Sequence, residues 1–213
     1  MEKTADIIPV TSYEAEYRAW VETTSSEARQ KVVAELRGEH HIMDAVLAAM
    51  ERETRRLSVH GDLRPDFWER VVDYIGNFTY QIHRRKEEEA LFPALSKLQG
   101  LDNRASLAKL LEEHQHTRDL TMTLVDGVSE GDWEKVLRAA HMYLRVARDH
   151  LDREEWEVFE PLDRLLDAAG ENELRASFDT IEADALGDRN RQHYLDCARK
   201  LCSDAGLTDV LAL

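Results

Sequence analysis

His83-Arg84-Arg85-Lys86-Glu87-Glu88-Glu89-Ala90-Leu91-Phe92-Pro93 is the stretch whose reading decides the fold. A histidine is followed four residues later by a glutamate, in a segment of helical pattern. On a helix such residues share one face, about 6 Å apart along the axis. The imidazole and the carboxylate can therefore reach one point, which is the geometry of half a metal site. A second copy reads His150-Leu151-Asp152-Arg153-Glu154-Glu155-Trp156-Glu157-Val158-Phe159-Glu160-Pro161. Both copies spell His-x-x-x-Glu-Glu-x-x-x-Phe with a proline just after. One His-x-x-x-Glu arises by chance in any charged helix. Two copies that share a distal Phe and Pro carry much more weight.

Working outward, the chain has 213 residues, of which 43% are apolar and 33% charged, with nine Gly and four Pro. That profile fits long amphipathic helices around a real core. The length suits one domain with an appendage. A net charge of −15 and a pI near 5.0 repel phosphate backbones, so nucleic acid is not an expected partner. No apolar run approaches the roughly 18 residues of a membrane span. Residues 1–20 lack a basic start and an apolar core, so the expected setting is cytoplasmic, without a membrane. Self-association into a homo-oligomer stays open. Cys197 and Cys202 are five apart, which is neither a redox pair nor a zinc pattern, and they read as ordinary reduced thiols.

The expected organisation is an N-terminal segment (1–25), a four-helix bundle (26–169) and a C-terminal helical appendage (170–213). Ser12 to Val21 reads as a short helix. Helix 1 is expected from Ser26 to Val59, with Val33, Leu36, His40, Met43, Leu47, Met50 and Leu57 in its stripe. His40 lies in that stripe and His41 outside it. Asp66 is the expected cap of helix 2, which runs to Leu98 with Thr79, His83, Glu87 and Ala90 on one face. Pro93 should kink its end. Gly100 to Asn103 form the next turn. Helix 3 turns Leu107, Leu110, Leu111, His114, Thr121 and Leu124 inward, and His116 outward. Asp132 caps helix 4, whose inner line is Val136, Ala140, Tyr143, Ala147, His150 and Glu154. Gly170 should end it. His41, His116, His141 and His193 read as surface residues. Two shorter helices follow, split at Gly187. Four long helices with short connections make an all-α, up-down-up-down bundle. Glu39-His40 matches Glu113-His114, so the halves repeat.

The inward-facing polar residues are His40, His83, Glu87, His114, His150 and Glu154. A single histidine on an apolar stripe is more often a satisfied core residue than a ligand. Two buried carboxylates facing four imidazoles need a proton network or metal ions. The inventory fits two ions, each with two histidines, bridged by both glutamates. Imidazole with carboxylate suits Fe, Mn or Zn. Glu88, Glu89 and Glu155 read as solvated or as supports of the ligands, and Phe92 and Phe159 as core. A ferritin-like carboxylate site needs Glu-x-x-His on two helices. The one match among the inner helices, Glu113-x-x-His116, faces outward. A metal-free scaffold leaves the two buried glutamates unexplained.

The pattern over about residues 30–168 resembles the hemerythrin-like family, the HHE cation-binding domain. It consists of Glu-His, His-x-x-x-Glu-Glu-x-x-Leu-Phe-Pro, Glu-His and His-x-x-x-Glu-Glu. The segment from Phe178 to Arg191, with Ile181-Glu182, is similar to the tail that follows this domain in many members. The resemblance implies two iron ions in a non-haem di-iron centre, oxo- or hydroxo-bridged, with Mn or Zn as alternatives. By position its metal ligands would be His40, His83, Glu87, His114, His150 and Glu154. Oxygen-carrying hemerythrins have His-x-x-x-His on the third helix, where this chain has Arg118. His60, twenty residues after His40, is a candidate replacement, as well as an ordinary helix C-cap. Family members that repair iron centres after nitric oxide stress carry a histidine in a comparable place, with an N-terminal cysteine pair that residues 1–30 lack. Tyr80 and Tyr143 are candidates to support the ligands. Arg118 could place a cation near an open metal position.

The expected function is a di-iron protein that reacts with peroxide, oxygen or nitric oxide, so its partner is a small diatomic or peroxide ligand. The alternative is a non-catalytic protein that senses or carries oxygen or buffers iron. The motif residues are common to both.

Overall fold

The computed structural model describes residues 31–98, 104–186 and 191–207. The expected helix at Ser12 to Val21, the turn at Gly100 to Asn103 and the break at Gly187 lie outside these residues. Every element assigned within them is helical.

Helix α1 spans Val32–His60. Gly61 ends it in the left-handed region, φ 62°, and its N–H donates to the Leu57 carbonyl at 2.8 Å. Glycine adopts that backbone without a Cβ penalty. Helix α2 begins at Pro65–Tyr74 and continues unbroken to residue 97. Asp66 is not its cap. Pro65 takes the first helical position, where its missing N–H costs nothing, so Asp66 falls inside the first turn. Helix α3 is Arg104–Glu130. Helix α4 starts at Trp133–Glu154, with the Asp132 side chain accepting from the Lys135 N–H at 2.9 Å, and continues to residue 165.

The two motif helices widen at or next to the ligand candidates. Ile75–His83 and Lys86–Leu91 in α2, and Glu155–Phe159 in α4, are π-helical. The Phe92 N–H reaches back five residues to Glu87, and the Glu160 N–H reaches Glu155. The wide turns at Lys86–Leu91 and Glu155–Phe159 lie just before a motif proline, which has no N–H to give and crowds the carbonyl four residues back. The helix passes Pro93 through this wider turn and does not end there.

Gly170 does not end α4. The chain breaks at Leu166, whose backbone is extended, and Asp167 accepts from the Gly170 N–H at 2.8 Å. Gly170 therefore sits in the first turn of α5, Ala168–Leu186. Helix α6 is Arg191–Asp204.

Two apolar clusters fill the molecule. One contains Met43, Met50, Trp68, Ile75, Leu124, Ala140 and Leu151, together with Tyr194, Ala198 and Leu201 of α6. The other contains Val33, Leu36, Leu91, Leu107, Leu110, Phe159 and Leu162, together with Leu174, Phe178 and Ile181 of α5. The C-terminal helices thus complete the same cores as the bundle. Leu111, expected inward, is 45% exposed, because Leu107, Leu110 and His114 already fill the buried face of α3. Cys202 is buried and Cys197 half-buried, and both are free thiols. No described helix is long and apolar enough to cross a membrane.

Candidate metal centre

Between the two apolar clusters, α1 to α4 each turn polar side chains inward. His40 lies between Leu36 and Met43, His83 and Glu87 between Ile82 and Leu91, His114 between Leu110 and Leu124, and His150 and Glu154 between Ala147 and Val158. All six are buried. They form two groups whose ligand atoms lie within 4.8 Å of one another: His40, His83, Glu87 and Glu154, and then Glu87, His114, His150 and Glu154. The two glutamates belong to both.

The orientations are specific. His40 and His83 bring their Nε2 atoms to 3.2 Å, and His114 and His150 bring theirs to 3.0 Å. Glu87 turns Oε1 to His83 at 3.0 Å and Oε2 to His114 at 3.4 Å. Glu154 turns Oε2 to His40 and Oε1 to His150, both at 3.2 Å. Each carboxylate spans the two groups.

The outer ring nitrogens fix the tautomers. His83 Nδ1 faces Glu39 at 2.9 Å, His114 Nδ1 faces Glu88 at 2.6 Å, and His150 Nδ1 faces Glu113 at 3.1 Å. A carboxylate only accepts, so in the neutral ring Nδ1 holds the proton and Nε2 keeps its lone pair. The lone pairs then converge on the oxygens of Glu87 and Glu154. None of those four oxygens receives a hydrogen bond. Buried acceptors facing one another need a cation between them. Two donors at about 2.1 Å from one ion, near a right angle, lie about 3 Å apart, as these atoms do. The donor set fits metal ions.

The electrostatics agree. Burial pushes His83 down, but Glu87 and Glu39 on its two sides override it and lift it to about 10. Burial likewise opposes Glu154 and Glu113 at His150, which rises to about 9. Burial also raises Glu87 and Glu154, and Glu154 repels Glu87, yet the imidazoles hold both carboxyls below their ordinary range. The pocket demands positive charge at the Nε2 positions.

The residues covering the site repeat too. Phe159 leans on the His40 ring at 4.9 Å and Phe92 stacks on His114 at 5.9 Å. The symmetry breaks at the residue after each motif glutamate. Glu155 holds the motif position of Glu88, but Arg37 takes both of its oxygens at 3.0 Å. Among the described residues, no carboxylate faces His40 Nδ1.

A match to the family model of the hemerythrin HHE cation-binding domain covers residues 31–162, more than half of the chain. The chain belongs to the hemerythrin HHE cation-binding family. No curated protein and no solved structure matches it.

Three expectations about this HHE domain need correction. His60 joins neither group. It is exposed, and α1 runs unbroken from His40 to His60, which puts it about 30 Å away along the axis. Arg118 is exposed and lies over the outer side of Tyr80 at 5.5 Å. The buried guanidinium is Arg84, which donates to the His114 carbonyl at 3.1 Å and lies over Tyr80 at 4.6 Å. Its Nε has no partner. Arg84 lines a cavity of about 10 Å³ with Tyr74, Thr79, Tyr143 and His150, about the room of one water. Tyr80 itself bonds Thr121 at 2.7 Å. His41 is half-buried, not fully solvated, and burial beside His40 holds it down at about 4. His116, His141 and His193 are exposed.

The sequence reading passed over Glu39, Glu113, Lys86 and Arg84. The repeated Glu-His pair held the signal for two of them. In each pair the histidine points to the centre, and the glutamate, 100° round the helix, reaches the imidazole of the next helix.

Proposed function

We propose that this HHE domain is a non-haem di-iron protein that reacts with a small oxidant, namely peroxide, oxygen or nitric oxide. The observation that carries the reading is the set of four buried carboxylate oxygens of Glu87 and Glu154 converging with four imidazole Nε2 atoms in one layer. His40 and His83 would hold one ion, His114 and His150 the other, and Glu87 and Glu154 would bridge. Each group offers four protein donors, fewer than iron accepts, so a reactive position stays open. Iron bound there would supply electrons and a coordination position for the oxidant.

The chain's own residues prepare that position. The apolar layers on both sides exclude bulk water and strengthen charge interactions inside. Phe92 and Phe159 hold His114 and His40 from outside the ligand layer. Glu39, Glu88 and Glu113 keep the protons of His83, His114 and His150 on Nδ1. The Arg84 guanidinium and the Tyr143 ring line the water-sized cavity beside His150. A cation there favours an anion developing on the oxidant.

Metal analysis with optical spectroscopy tests this. The expected result is close to two irons per chain and a spectrum that changes on adding hydrogen peroxide, with oxygen evolved. A two-iron protein whose spectrum ignores peroxide would leave sensing, carrying or iron buffering as the role. A Glu154→Ala protein that still holds two tight irons would remove the bridging assignment.

A further inference from the structure

Lys86 is the residue next to Glu87, and it is completely buried. An ammonium leaves water only at high cost unless carboxylates surround it. Three do: its Nζ donates to Glu35 at 2.6 Å, to Glu39 at 2.6 Å, and to Glu182. Arg191 donates from Nη2 to Glu39 at 2.6 Å and to Glu35 at 2.7 Å, and also pairs with Glu182. Arg175 closes the set on Glu35. Three carboxylates meet three cations, so this acidic group already contains its counter-charges.

The two oxygens of Glu39 have different duties. Oε2 faces the Nδ1 of His83, and Oε1 is taken by Lys86 and Arg191. Glu182 and Arg191 belong to α5 and α6 and lie beyond the family match, which ends at residue 162. Matters differ at the other ion position. There Glu113 is held by Arg153 of α4 at 3.3 Å, within the bundle, and His114 has Glu88 as well. The His40–His83 position has one carboxylate-anchored imidazole, and that anchor is fastened from the C-terminal helices.

We propose that Lys86, Glu182 and Arg191 are positioning residues for the metal centre, which fasten Glu39 so that it aims the His83 imidazole at the ion bound with His40. The proposal rests on the reading of His40, His83, Glu87 and Glu154 as ligands. A carboxylate that orients a ligating histidine typically changes metal affinity about 10- to 100-fold when lost. Loosening that carboxylate from behind should cost about tenfold at the low end of this range. The cost should fall on one ion position, the one furthest from Glu113.

The test is calorimetric and optical titration of the full-length metal-free chain with cobalt(II). Arg191→Met and Glu182→Gln are chosen because both side chains reach solvent, whereas Lys86 is buried. Expected is two-step binding by the unsubstituted chain, with one step weakened about tenfold and its absorption band altered in both variants. Arg191→Lys, which keeps the charge, should recover most of the loss. Arg153→Met should weaken the other step. Unchanged affinities would overturn the proposal. So would an equal loss at both steps in proportion to a fall in the metal-free melting temperature, since that marks a merely structural role. An unsubstituted chain that takes up no cobalt would overturn the ligand reading itself, and is told apart by that.

Discussion

At the scale of single residues, the chemistry is set by what stands behind each imidazole. His83, His114 and His150 each have a carboxylate on Nδ1, whereas the equivalent carboxylate for His40, Glu155, is held by Arg37. Glu88→Gln should therefore lower metal affinity about 10- to 100-fold, while Glu155→Gln should leave it near the starting value. Competition with a chromophoric chelator measures both, and equal losses would refute the asymmetry. The six ligand candidates were legible because each falls in phase with apolar neighbours, and phase is a one-dimensional property. Glu39 was not, because it lies off that phase and finds its partner on another helix. His60 misled for the opposite reason. Its spacing from His40 was read without the straightness of α1, which carries it five turns away.

Single helices show where local signals compete. Asp132 caps α4 as its position suggests. Asp66 does not cap α2, because the neighbouring Pro65 claims the first helical position. Gly170 looked like a stop, yet Asp167 captures its N–H and starts α5 there. The π turns before Pro93 and Pro161 were legible only as prolines in a helical pattern, since the sequence does not say whether a helix breaks or widens. Helix α5 packs Phe178 into the core beside the motif phenylalanine Phe159, fully buried, with the Lys86 ammonium 5.3 Å from its ring. Phe178→Ala should thus cost about 3–5 kcal/mol of stability, read as a lower urea midpoint at unchanged slope. A loss below about 1 kcal/mol, well short of a core cavity, would mean that α5 lies loosely on the bundle.

For the whole molecule, the repeat of two helical hairpins was visible in the sequence, but the tie between the C-terminal helices and the site was not. Glu39 and Arg191 are 152 residues apart, and no local pattern joins them. The assembled layer makes metal and protons rivals for the same atoms. In the metal-free chain His83 and His150 are lifted to about 10 and about 9, against about 6.5 unfolded. The folded form then holds more protons than the unfolded one between these values. Stability from these rings is full below about pH 6.5 and is lost as pH rises through 9 to 10. Glu87 and Glu154 are depressed, so their contribution fades only in acid and does not vary across this window. With metal bound, the ion takes the Nε2 positions, and acid competes it away. The metal-free melting temperature should therefore fall from pH 7 to 10, while that of the loaded protein holds, so the gap between them widens with pH. At a free metal concentration a hundred times Kd the gap corresponds to about 2.7 kcal/mol. Melting curves of both forms across this range measure it. Parallel pH profiles for the two forms would mean that metal and protons do not share these nitrogens.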